Sequence, residues 1–170
     1  AVDNLKGSSG KDNFTIVNSG EGNSDIYDGL GDTDTLQFST GSHVFSSDSN
    51  LKNVEIIKIS DVGATVNLTS QTEDFTISGG AGVDDITAGR GNDIISGGLS
   101  NDIITGGLGN DIISGGSGSD TFNIDAGNQF FFNDLKLNLP DDYDEKDFEN
   151  LNKLFIDLKD KKYSIDKLSL

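Results

Sequence analysis

Residues 79–123 read as five consecutive nonapeptides: Gly79-Gly-Ala-Gly-Val-Asp-Asp-Ile-Thr87, Ala88-Gly-Arg-Gly-Asn-Asp-Ile-Ile-Ser96, Gly97-Gly-Leu-Ser-Asn-Asp-Ile-Ile-Thr105, Gly106-Gly-Leu-Gly-Asn-Asp-Ile-Ile-Ser114 and Gly115-Gly-Ser-Gly-Ser-Asp-Thr-Phe-Asn123. The sixth place is always aspartate: Asp84, Asp93, Asp102, Asp111 and Asp120. The eighth is always apolar: Ile86, Ile95, Ile104, Ile113 and Phe122. Three residues such as Ile94-Ile95-Ser96 make a short strand. The glycine-rich remainder makes a turn, because glycine accepts positive φ without steric cost. Asn92, Asn101 and Asn110 are expected at left-handed positions that asparagine tolerates. Strand, turn, strand, turn closes one coil in about eighteen residues, and coils stack as parallel strands about 4.8 Å apart. The predicted fold is therefore all-β: a right-handed parallel β-helix or β-roll solenoid with an inward ladder of isoleucines. Odd and even units stack their turns in two columns. Asp84, Asp102 and Asp120 share one, Asp93 and Asp111 the other.

That stacking sets an electrostatic problem. Carboxylates about 5 Å apart repel by roughly 1 kcal/mol in water and about 3 kcal/mol at an effective dielectric near 20. Arg90 is the only basic residue within the five units. A divalent cation between adjacent turns removes the repulsion. Carboxylate and carbonyl oxygens in number suit calcium better than the smaller, strictly octahedral magnesium. The chain has no cysteine and one histidine, His43, which argues against zinc or a soft metal.

These residues resemble the RTX (repeats-in-toxin) nonapeptides of bacterial proteins exported by type I secretion. The resemblance implies a calcium-loaded parallel β-roll, with each ion between a turn and the turn one coil on. It implies about three or more ions: between Asp84 and Asp102, between Asp102 and Asp120, and between Asp93 and Asp111. It assigns the carbonyl donors to turn residues before each aspartate. These are Gly79 and Ala81 in the first unit, Ala88 and Arg90 in the second, and Gly97, Gly98, Leu99 and Ser100 in the third. In the fourth and fifth they are Gly107 and Gly109, and Gly116 and Gly118. Ala88 and Ser100 depart from the glycine pattern and are expected to strain their turns or weaken a site.

Composition agrees. A formal charge of −17, from 29 acidic and 12 basic residues, argues against nucleic acid or an anionic membrane surface as partner. No hydrophobic run is long enough to span a membrane, and no amino-terminal signal peptide is recognisable. The absence of methionine and the opening Ala1-Val2-Asp3 suggest a fragment or a processed product. Folding that waits for calcium at extracellular concentrations suggests a secreted, cell-surface location.

Residues 1–78 read as degenerate coils of the same architecture. Gly7 to Thr15 matches the nonapeptide with Asp12 and Phe14. Gly20 to Asp28 and Gly29 to Gln37 place Asp25 and Asp34 sixth and Tyr27 and Leu36 eighth. Asp12, Asp25, Asp34 and Asp125 are additional metal candidates, with solvated acidic turns as the alternative. Val54 to Ser60, Ala64 to Thr69 and Phe75 to Ser78 have the β-branched content of strands. Leu51 to Ser60 resembles segments of RTX-type surface-layer proteins and adhesins.

Three regions follow: degenerate coils in 1–78, the calcium roll in 79–127, and a tail in 128–170. The tail should cap the open solenoid with an apolar strand over Gln129 to Leu139. A short helix near Tyr143 to Asn152 and a hairpin across Lys159 to Lys162 complete the reading. In the resembling family, the carboxyl-terminal secretion signal occupies this place.

Catalysis finds little support. His43 lacks a zinc-ligand motif and reads as a surface residue of a polar strand edge. Adjacent acids such as Asp84-Asp85, Glu73-Asp74 and Asp141-Asp142 face opposite sides of an extended chain. The glycine-rich turns lack the lysine-serine/threonine ending of a phosphate loop. The expected function is a calcium-triggered folding module in the carboxyl-terminal part of a secreted bacterial surface-layer protein or adhesin, and not an enzyme. The alternative is the secretion and folding domain of a type I-secreted protease, lipase, polysaccharide-modifying enzyme or toxin. Expected partners are calcium, the type I secretion apparatus, further copies of the chain or a cell-surface polysaccharide, with no membrane insertion.

Overall fold

The computed structural model of the chain describes residues 3–17, 24–123 and 129–131. Asp125 and the tail elements beyond Phe131 lie outside the described residues. The strands in chain order are β1 (Asn4–Lys6), β2 (Asn13–Ile16), β3 (Ile26–Asp28), β4 (Thr35–Phe38), β5 (Gly41–Val44), β6 (Leu51–Lys52), β7 (Ile56–Ile59), β8 (Ala64–Asn67), β9 (Thr76–Ser78), β10 (Asp85–Thr87), β11 (Ile94–Leu99), β12 (Ile103–Thr105), β13 (Ile112–Ser117), β14 (Thr121–Asn123) and β15 (Gln129–Phe131). Every pairing is parallel. A single 3-10 turn at Asp48–Asn50 is the only helical element among the described residues. The fold is a parallel β-solenoid.

The strands sort into three sheets. A long sheet runs β15-β13-β11-β9-β7-β4-β2, a second runs β14-β12-β10-β8-β5, and a short one runs β1-β3-β6. From β3 to β8 the chain visits the short, long and second sheets in turn, so each coil has three sides. From β9 onward it alternates between the long and second sheets alone. Coils that begin three-sided thus become a two-sided roll where the nonapeptides begin. The coil shortens to match: His43 pairs with Val66, Val66 with Ile86, and Ile86 with Ile104. The last step is the eighteen-residue coil expected from the repeat.

The short sheet stops because residues 68–75 fill its side without a strand. Leu68 and Phe75 are buried there. Gln71, also buried, donates from Nε2 to the Ser47 carbonyl at 2.8 Å and so closes the third side with a hydrogen bond.

Inward ladders form the core. Leu36, Ile57, Ile77, Ile95 and Ile113 are paired rungs of the long sheet, all fully buried. The expected inward residues Tyr27, Ile86 and Ile104 are buried as well, and Phe122 packs against this core partly buried. His43 differs from its sequence reading. It is the inward rung of β5, 0% exposed, stacked on Phe38 with ring centroids 4.5 Å apart. Its Nε2 lies 2.9 Å from the Thr40 carbonyl oxygen. Register decided this, because His43 faces Val66 across the second sheet. The acids of the pair at 84 and 85 face opposite ways as expected, Asp84 buried and Asp85 exposed.

Candidate metal centre

Each repeat aspartate is the residue just before a strand, and this position carries a ladder of its own. The backbone N–H of Asp84 donates to Asp102 Oδ1, that of Asp102 to Asp120 Oδ1 and that of Asp93 to Asp111 Oδ1, each at 2.9 Å. The columns start at Ala64, which donates to Asp84 Oδ1, and Phe75, which donates to Asp93 Oδ1, both at 2.8 Å. One carboxylate oxygen is thereby held to the preceding coil. The other, Oδ2 of Asp84 and Asp102, is buried without a hydrogen-bond partner. A buried carboxylate oxygen without donor or cation is costly.

The first glycine of the turn shows where that oxygen points. A β-carbon built on Gly79 would lie 2.6 Å from Asp84 Oδ2 and closer still to the Gly97 carbonyl oxygen. One built on Gly97 would lie 2.6 Å from the Gly115 carbonyl oxygen and closer to Asp102 Oδ2. Carboxylate and carbonyl oxygens of neighbouring coils thus converge on one small gap beside the glycine. Calcium is bound by carboxylate and carbonyl oxygens, so an all-oxygen lining of this kind suits a hard cation. Among the described residues no three His, Cys, Asp or Glu side chains gather around one point. Backbone carbonyls therefore have to supply a large part of any coordination shell.

The expected donors are distributed unevenly. The Gly97 carbonyl joins the gap at Asp84. The Ala81 carbonyl accepts the Ser100 hydroxyl at 2.9 Å, and Leu99 uses its N–H on the Gly80 carbonyl at 2.9 Å. Arg90 donates its N–H to the Gln71 carbonyl at 3.0 Å and is exposed. Gly107, Gly109, Gly116 and Gly118 each set their Cα close to a carbonyl of the preceding coil, those of Gly89, Gly91, Gly98 and Ser100 respectively.

Backbone conformation separates the two departures from the glycine pattern. The second and fourth places of the turn take positive φ in the third unit (Gly98 110°, Ser100 80°), the fourth (Gly107 94°, Gly109 131°) and the fifth (Gly116 93°, Gly118 141°). Ser100 is therefore strained, at a cost of about 1–2 kcal/mol. Ala88 is buried and outside the left-handed region, as are Gly89 and Gly91 of its turn. Its unit adopts a different turn rather than a strained one. Asn92, Asn101 and Asn110 are not left-handed either. Two of them build an outer ladder instead: Asn92 Oδ1 accepts the Asn110 N–H at 3.1 Å and Asn101 Oδ1 the Ser119 N–H at 2.7 Å.

Burial pushes the Asp84 carboxyl up to about 6, opposed by the Ala64 N–H and reinforced by the Asp102 charge. Asp93 is likewise pushed up to about 6 by burial, opposed by the Phe75 N–H and reinforced by Asp111. Burial also raises Asp102, against the Asp84 N–H and with the Asp120 charge. A folded-state value above the ordinary 3.8 means that the ion-free fold holds protons which the unfolded chain has released. The contribution of these groups to the ion-free fold is then full below about pH 4, is lost as pH rises to about 6, and is absent above that. Calcium needs the ionised carboxylates, so its affinity moves the opposite way. The calcium concentration for half-saturation should fall several-fold from pH 5 to pH 7, with protons released on binding. Calorimetry in buffers of different ionisation heat reads both. A pH-independent affinity without proton release would contradict the assignment.

The RTX calcium-binding nonapeptide repeat family matches residues 76–95 and 96–128, in four copies. Residues 76–128 carry RTX repeats. No curated protein and no solved structure matches the chain. The RTX match starts at the first residue of β9, where the solenoid becomes two-sided. RTX repeats bind calcium and point to an exported protein. No helix of the described residues is long and apolar enough to cross a membrane.

Sequence reasoning missed two features of this RTX centre. One is the N–H to carboxylate ladder between coils, whose signal is the place of each aspartate directly before a strand. The other is the oxygen-lined gap at the first glycine, which only the pairing register exposes.

Proposed function

We propose that the chain is a calcium-triggered folding module of an exported bacterial surface protein of the surface-layer or adhesin type, without a catalytic role of its own. The observation that carries the switch is the pair of buried, unpartnered Oδ2 atoms of Asp84 and Asp102. Bound calcium supplies the positive charge that these oxygens lack. Without it, the carboxylates repel one another and the unfolded chain, at a formal charge of −17, stays expanded. Once one coil is ordered, its strand-preceding N–H groups and carbonyls present half of the next site, so folding propagates coil by coil. A chain that folds only where calcium is plentiful fits export in a loosely folded form.

Two features support the surface-protein reading over the carrier of an enzyme or toxin. The solenoid continues upstream of the matched repeats as three-sided coils. The first isoleucines of the repeats face outward: Ile94 and Ile112, paired on the long sheet, are 52% and 40% exposed and offer apolar area for self-association. Sedimentation and electron microscopy with and without calcium test this. Ordered, calcium-dependent assembly is expected. A calcium-loaded chain that stays monomeric, within a parent that hydrolyses protein, lipid or polysaccharide, would favour the carrier reading.

A further inference from the structure

We infer that the turn 29–34, outside the matched repeats, is a further divalent-cation site of the calcium type, built on Asp34, Gly29 and the Asn53 carbonyl. The inference extends the oxygen chemistry of the repeats to a turn the family does not match. Asp34 precedes β4 on the long sheet, in the same column as Asp93 and Asp111. That column reads Asp12, Asp34, Glu55, Phe75, Asp93 and Asp111 along successive coils. Phe75, fully buried, divides it into two acidic runs. In the upstream run the ladder is the same: the Asp12 N–H donates to Asp34 Oδ1 at 2.7 Å, and the Asp34 N–H to Glu55 Oε2 at 2.9 Å.

Asp34 is 0% exposed, and its Oδ2 is buried without a hydrogen-bond partner. That oxygen and the Asn53 carbonyl oxygen converge on the place a β-carbon of Gly29 would take. The arrangement reproduces the gaps at Gly79 and Gly97. Asn53 stands where the next coil's first glycine would stand, directly after β6, as Gly97 stands directly after the strand residue Ser96.

The backbone of the turn agrees. Leu30 and Asp32 take φ of 76° and 71°, the left-handed second and fourth places of the third to fifth repeats. Neither is glycine, so the turn keeps the metal-site conformation against its own residue preferences, and such strain persists where the surroundings impose it.

The other upstream candidates differ. Asp12 Oδ2 accepts the Ser8 N–H at 2.6 Å and is satisfied. Asp25 is half-buried and accepts the Asp3 N–H at 2.8 Å, with no buried unpartnered oxygen. Asp34 alone among the upstream aspartates combines full burial with an unpartnered oxygen aimed at a carbonyl.

Asp34→Asn keeps the Oδ1 acceptor for Asp12 and replaces Oδ2 by an amide donor facing the Asn53 carbonyl. The variant should fold without calcium at least as well as the parent. Bound calcium per chain, measured by equilibrium dialysis on the full chain, should fall by one ion in Asp34→Asn. In Asp102→Asn the ions assigned to the Asp84, Asp102 and Asp120 column should be lost while the Asp34 ion remains. An Asp34→Asn chain that binds as many ions as the parent, at the same midpoint, would overturn the site, and a loss confined to Asp102→Asn would leave the RTX reading intact. A parent that binds no calcium would sink both. Amide exchange gives a reading that does not depend on the Asp34 variant folding. In Asp102→Asn, calcium should still slow exchange at residues 29–36, and no calcium effect there would overturn the inference.

Discussion

Replacing Asp102 with alanine raises the calcium concentration needed to fold the roll well above the rise caused by replacing Asp84. Both carboxylates are buried, but they occupy different places in one column. Asp102 Oδ1 accepts the N–H of another repeat aspartate, Asp84, at 2.9 Å, and its own N–H is held by Asp120. Its Oδ2 lies at the gap that the Gly115 carbonyl closes. Removing it opens the ladder in the middle and, in the arrangement the RTX resemblance implies, takes a ligand from the ions on either side. Asp84 stands at the start of the column and accepts only the N–H of Ala64. Each replacement removes one hydrogen bond to a charged group, about 1.5–3 kcal/mol, so the difference is the second ion site that Asp102 serves, and each 1.4 kcal/mol is tenfold in an equilibrium constant. The expected difference between Asp102→Ala and Asp84→Ala is therefore about tenfold or more in calcium midpoint, read by circular dichroism. Equal midpoints would show that the two carboxylates act independently.

Gly97→Ala should be nearly as damaging, for a steric reason. Gly97 lies outside the left-handed region, so alanine adopts its backbone without conformational strain. The methyl group would enter the gap between Asp102 Oδ2 and the Gly115 carbonyl. Overpacking a tight site costs about 1–3 kcal/mol, and here the added carbon also takes the room of an ion. A rise of tenfold or more in calcium midpoint is expected. Ala88 shows that the fold accepts alanine at the equivalent place only with a different turn. An unchanged midpoint in Gly97→Ala would mean that the gap beside the first glycine is not where the ion binds.

The two-sided roll was legible because every physical constraint in it is local and periodic. Nine residues fix strand and turn together, so Ile95 must stack on Ile113 and Asp93 on Asp111. The upstream coils lack that redundancy. Strands around Ile57 and Val66 were readable from β-branched residues, but nothing local says that β6 adds a third side. That follows from how Phe38, Phe45 and Tyr27 pack, with Phe38 and Phe45 ring centroids 5.8 Å apart. His43 was misread for the same reason, since its polar neighbours Thr40 and Ser42 mask an inward place set by pairing with Val66. The asparagines before the aspartates were misread because left-handed tolerance is permission, not requirement. The second and fourth places take the positive φ, while Asn92 and Asn101 satisfy backbone donors of the next coil. Asp34 was visible as a sixth-place aspartate, but its burial and its alignment with Asn53 needed the coil register.

A calcium titration of the chelated chain, followed by far-ultraviolet circular dichroism beside a magnesium control, tests the folding switch most directly. A cooperative gain of β signal with calcium, at millimolar concentration or below and without a matching response to magnesium, is the predicted result. A spectrum that is already β-rich in chelator and indifferent to calcium would contradict it, and would reduce the repeats to a glycine-turn scaffold that needs no ion to fold.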